Sequence, residues 1–245
     1  LSLILYCICA LADLRRVSVP PSADDPEGLC WLEADPLAAL TAPAPAQDDV
    51  DAMLAFGRVV AHCHGFLDVV PMRYDSRLPD RDAVIAHLCA DSPRYQSLLA
   101  MLGGCVEMGL RLPLPDGAVA RPAVGTPDAP GPPAAPASGR DYLLQRRAEM
   151  QATAAAEAAL DRLDADLAGL YRRCRREEGW FAGQRRLSVH YLVPRARLAA
   201  FRDRLAAALA VGGWQLDGPR AALTSGPWPP YSFTVGDDEA GPQKR

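Results

Sequence analysis

The chain has 245 residues, 49% of them hydrophobic, enough to bury a core in one large domain or two small ones. Its 26 Lys and Arg stand against 30 Asp and Glu, and the two signs are mixed along the chain, so at a net charge of −4 no whole-molecule field favours nucleic acid. Its 7 cysteines lack the regular spacing of a disulfide framework and fit a reducing cytoplasm, where thiols in apolar stretches act as small buried hydrophobes.

Leu3 to Ala10 reads as a buried strand rather than a signal-peptide core, and the apolar run is too short for the roughly 20 residues a bilayer span takes. No membrane association is expected. Leu29-Cys30-Trp31-Leu32 is strand-like. The acidic Asp48-Asp49-Val50-Asp51 suits the positive end of a helix dipole and opens a helix running to about His64. Val69 to Tyr74 reads as a strand, Asp80 to Ala90 and Pro93 to Leu102 as helices, and Cys105 to Leu112 as a returning strand. This alternation predicts a small sheet with helices packed on one face, close to a ferredoxin-like plan.

Pro113 to Ser138 is dominated by Pro, Ala and Gly, which sustain neither a helix nor a sheet ladder, and reads as a linker. The expected organisation is α+β throughout: an N-terminal domain 1–112, the linker 113–138, a C-terminal domain 139–236 and a flexible tail 237–245.

In the second lobe Leu160, Leu163, Leu167, Leu170 and Cys174 fall at alternating spacings of three and four, a coiled-coil-like helical seam. A helix from Asp141 to about Glu177 would be about 55 Å long at about 1.5 Å per residue, longer than a compact lobe needs, so its seam should pair with a second helix from this chain or another copy. Arg172-Arg173-Cys174-Arg175-Arg176 then sits at the helix C-terminus, where the dipole favours cations, and is read as structural rather than phosphate-binding. A strand at Leu187 to Val193, a helix at Arg195 to Ala210 and a strand-like finish from Trp214 to Phe233 complete the lobe.

Little in the sequence carries chemistry. His62-Cys63-His64, with His87 and Cys89, is the one metal-like cluster, but residues i and i+2 of a helix point about 200° apart and cannot share an ion. There is no Walker loop, no GxGxxG run and no readable nucleophile–base pair, so neither a catalytic residue nor a cofactor is expected. A small cytoplasmic enzyme or a ligand-sensing module is the alternative reading. The segment Gly226-Pro227-Trp228-Pro229-Pro230-Tyr231-Ser232-Phe233 differs in kind, because its prolines fix the backbone and display large aromatics. Trp228 is expected to pack inward and Tyr231 to face a partner, with Trp228, Pro229, Pro230, Tyr231 and Phe233 as candidate partner-binding residues.

That segment resembles the C-terminal signature of the gas vesicle accessory family GvpL/GvpF. Leu5-Tyr6-Cys7-Ile8 is similar to the family's opening Tyr-rich strand, Val69-Val70-Pro71-Met72-Arg73-Tyr74 to its Val/Leu-Pro-x-Arg-Phe strand, Gly139-Arg140-Asp141-Tyr142-Leu143 to a helix start, and Tyr191-Leu192-Val193 to a second-lobe strand. Asp75 departs from the family's usual glycine after the aromatic. The resemblance implies a minor component or assembly factor of gas vesicles in the cytoplasm. It would contact the small hydrophobic shell protein and other accessory proteins, and need no catalytic site, metal or cofactor; self-association is left open by the helical seam.

Overall fold

The computed structural model describes residues 2–45, 49–113, 139–181, 184–211 and 221–234. The predicted linker beyond Pro113, the tail from 237, Asp48 and Trp214 lie outside them.

Strand β1 (Leu3–Ala10) is followed by a single helical turn, α1 (Leu11–Leu14), by β2 (Cys30–Ala34), β3 (Leu37–Pro43), α2 (Val50–Phe66) and β4 (Val69–Pro71). These strands form an antiparallel sheet in the order β2-β3-β1-β4, the order of a ferredoxin-like βαββαβ unit. A two-residue strand, β5 (Arg77–Leu78), pairs with the start of β1, so β4 and β5 share one edge of that strand in succession.

The register of β1 slips between Leu5, opposite Thr41, and Cys7, opposite Leu40, making Tyr6 the extra residue of a β-bulge. Because strand side chains alternate with a period of two, the bulge sends Tyr6 and Cys7 to the same face. Ile4, Tyr6, Cys7 and Cys9 thus join Phe56, Val59, Val60 and Cys63 of α2 in one core. Leu5 and Ile8 join Val84 and Leu88 of α3 (Arg81–Ala90) and Tyr95 and Leu102 of α4 (Ser92–Leu102) in another. Helices therefore cover both faces of this sheet, not one as the sequence suggested. The continuous apolar run of β1 has its reason there, since a strand buried on both faces needs no polar alternation.

Local chemistry fixes the helix starts. The Asp49 side chain accepts the Ala52 amide at 2.7 Å and Asp80 accepts that of Ala83 at 2.9 Å, each an N-cap for a donor the helix leaves unpaired. Where a ferredoxin-like unit would carry its first long helix, a loop runs from Arg15 to Leu29. It is tied to α2 through Arg58 Nε donating to Asp24 at 2.8 Å and His62 Nε2 donating to the Pro20 carbonyl at 2.8 Å.

The second sheet repeats the plan. It contains β6 (Cys105–Pro113), then α5 (Gly139–Leu167), β7 (Arg173–Phe181), β8 (Gln184–Pro194), α6 (Leu198–Val211) and β9 (Leu223–Trp228), in the order β7-β8-β6-β9. Helix α5 stops ten residues short of the expected Glu177. Gly169 takes φ +77°, a left-handed conformation that ends helices, and the chain turns into β7. Leu170 and Cys174 thus lie beyond the helix, and Arg173, Arg175 and Arg176 belong to an edge strand, where charge discourages pairing with another sheet. Leu160, Leu163 and Leu167 are buried, and α5 packs against α6, whose Phe201, Leu205 and Leu209 are buried in turn.

Two compact units emerge. One comprises Leu1–Met108, Tyr191–Ala196 and Gly226–Arg245, the other Gly109–His190 and Arg197–Ser225. Tyr191–Ala196 and the signature segment, which the sequence reading counted with the second lobe, belong to the first unit.

Candidate docking surface

The signature segment begins at Gly226, with φ +107° and no room for a side chain: a Cβ there would lie 2.6 Å from the Glu107 carbonyl oxygen and 3.1 Å from Met108 Sδ. After β9 the chain closes in a short 3-10 turn, Tyr231–Phe233. The buried Glu107 carboxylate holds that turn, accepting the Ser232 amide and the Ser232 hydroxyl at 2.8 Å each.

This frame distributes the aromatics in a way the sequence did not indicate. Tyr231 packs against the α2-side core and Phe233 is buried in the core with Leu5, Ile8 and Leu192, so the turn inserts one ring into each. Burial raises the Tyr231 phenol well above its ordinary pKa, with the neighbouring Cys7 and Glu107 adding to the shift. Pro229 and Pro230 are buried as well. Trp228 is 52% exposed, so of the five candidate residues it is the outward one. The expected orientations of Trp228 and Tyr231 are thereby exchanged. The cause is tertiary: Tyr231, not Trp228, falls on the turn that Glu107 holds against the core.

The histidine pair is placed as its helical spacing requires. His62 faces the loop carbonyl of Pro20, whereas His64 is buried against Arg195, whose Nη2 lies 3.1 and 3.0 Å from the two ring nitrogens and donates to the His64 carbonyl. Burial, then the guanidinium, lowers the His64 pKa to about 4. Among the described residues no group of three or more His, Cys, Asp or Glu is arranged to hold a metal ion.

Sequence reading missed one acid–base chain. His87 Nε2 lies 2.7 Å from the Tyr95 hydroxyl and His87 Nδ1 lies 3.5 Å from Asp91, and the i, i+4, i+8 spacing is its only sequence signal. The Tyr95 ring is buried in the core and its phenol pKa is raised, so the chain ties α3 to α4 and offers no activated oxygen. Burial holds two of the thiols protonated in the same way, pushing Cys9 up to about 12 and Cys174 up to about 11. A further exposed apolar surface, also missed, lies at the start of α2, where Val50, Met53 and Leu54 face solvent.

The family model for gas vesicle synthesis protein GvpL/GvpF matches residues 2–235, nearly the whole chain. The chain belongs to the GvpL/GvpF family. Its fold is shared by solved GvpF structures despite low identity. The gas vesicle protein GvpF from Anabaena sp. PCC7120 aligns with a TM-score of 0.66 at 12% identity, covering 96% of this chain and 98% of that one. GvpF from Microcystis aeruginosa aligns with a TM-score of 0.66 at 13% identity, covering 96% and 99%. No curated protein matches. The match spans every motif that carried the resemblance, from the opening strand to Phe233. No helix among the described residues of this GvpL/GvpF chain is long and apolar enough to cross a membrane.

Proposed function

We propose that this chain is a non-catalytic assembly protein of gas vesicles, working in the cytoplasm by binding the hydrophobic shell protein and other accessory proteins through the surface that Trp228 presents. The observation carrying this reading is the contrast within one segment. Gly226, Pro229, Pro230, Tyr231 and Phe233 are committed to the frame, and a large aromatic beside them is left in solvent. A tryptophan held on a rigid frame loses little freedom on docking, and such residues dominate interface energetics. Family membership supplies the setting.

The test is copurification of the shell protein with tagged wild type, Trp228→Ala and Trp228→Phe. The alanine variant should keep its stability to within about 0.5 kcal/mol, because the side chain is exposed, and lose about 2 kcal/mol of binding, about thirtyfold in affinity. The phenylalanine variant should recover part of it. Shell-protein recovery unchanged in Trp228→Ala would remove the segment from the interface.

A further inference from the structure

We infer that a second copy of this chain docks antiparallel along the outer face of α5. The inner face of that helix is occupied, with Leu160, Leu163 and Leu167 buried. On the opposite side, Leu143, Arg147, Met150, Ala158, Asp161 and Ala165 recur at steps of three and four through residue 154, so they form one stripe along the helix. All six are exposed, Leu143 at 67% and Met150 at 66%. The N-terminal half of the stripe is apolar and basic, while its C-terminal half is small and acidic.

Turned end for end about residue 154, the stripe is complementary to itself. Leu143 falls opposite Ala165, Met150 opposite Ala158, and Arg147 opposite Asp161, each large side chain meeting a small one and each cation an anion. One register satisfies all three pairs. Spacings of three and four are those of helices that pair along a seam, and an antiparallel pair of identical helices is an isologous interface that closes as a dimer. Charge and size complementarity on a single helix favour a second copy over an unrelated partner, which would have to reproduce the same pattern. The inference does not depend on the shell-binding reading, which uses a different surface.

The experiment is sedimentation equilibrium of the full chain from low to high micromolar concentration, with wild type, Leu143→Glu, Arg147→Glu, Asp161→Arg and the double variant Arg147→Glu/Asp161→Arg. Every substituted side chain is exposed, so circular dichroism and melting should match wild type. Wild type should be dimeric, each single variant should dissociate at least about tenfold more readily, and the double variant should return to within about threefold of wild type, since the pair is reversed intact. A monomeric wild type overturns the inference and leaves the face to a partner from another protein. A dimer indifferent to Leu143→Glu, or a double variant no better than the singles, overturns it equally.

Discussion

His64 illustrates how a residue that resembles a ligand serves the fold instead. Its ring is buried beside the Arg195 guanidinium, and its pKa falls from 6.5 to about 4. Between those values the unfolded chain binds a proton that the folded chain refuses, so stability rises with pH across the window. The stabilisation is complete above pH 6.5 and is lost as pH falls toward 4, on the order of 3 kcal/mol for a shift of this size. Urea midpoints at pH 4.5 and 7.0 should therefore differ more for wild type than for His64→Gln, which has no such proton. Equal pH dependence in the two proteins would contradict the assignment. The helical spacing made it legible in the sequence that His62 and His64 diverge. That a guanidinium 131 positions away would hold one of them could not be read there. The orientations of Trp228 and Tyr231 were hidden for the same reason, because they depend on Glu107 of a strand distant in sequence.

Among the elements, those whose ends are set by nearby side chains were readable to within a residue or two. The caps Asp49 and Asp80 and the proline near the start of α4 place three helices correctly. Others were not. The three-four spacing of leucines continues through Leu170 past the turn that Gly169 makes, so periodicity alone carried the predicted helix into what is β7. The two residues of β5 are too few to show any period, and the expected strand to Tyr74 ends at Pro71. The true extent of the seam gives a clear contrast. Leu163→Ala and Leu167→Ala each empty a buried site and should cost roughly 2–5 kcal/mol. Leu170→Ala, in the half-buried turn after the helix, should cost distinctly less. Chemical denaturation of the three single variants decides this, and an equal loss at all three positions would mean that the seam extends beyond α5.

At the scale of the whole molecule, the order β2-β3-β1-β4 recurs as β7-β8-β6-β9, so one βαββαβ plan is used twice. The first use reduces its opening helix to α1 and the second extends it to the 29 residues of α5. Composition suggested a boundary at the proline-rich stretch, but β6, the first strand of the second sheet, precedes that stretch; the family resemblance was legible from motifs that lie on both sides of it. The grouping of contacts was not legible, because a composition shift records where the chain has little to bury, not which distant strands it returns to. The first unit takes Leu192 and Phe233 into the core built on Leu5 and Ile8, and Tyr231 into the core built on Tyr6 and Phe56. A fragment of residues 1–112 lacks all three. Burying Leu192 and Phe233 contributes roughly 1.5–3 kcal/mol each, a large share of the 5–15 kcal/mol that typically holds a domain folded. The fragment alone should therefore melt well below the intact chain and expose its core to hydrophobic dyes, and coexpression with residues 113–245 should restore both the melting temperature and the dye-free state. A fragment 1–112 that melts cooperatively at the temperature of the full chain would show that the returning segments add nothing to the first unit's stability.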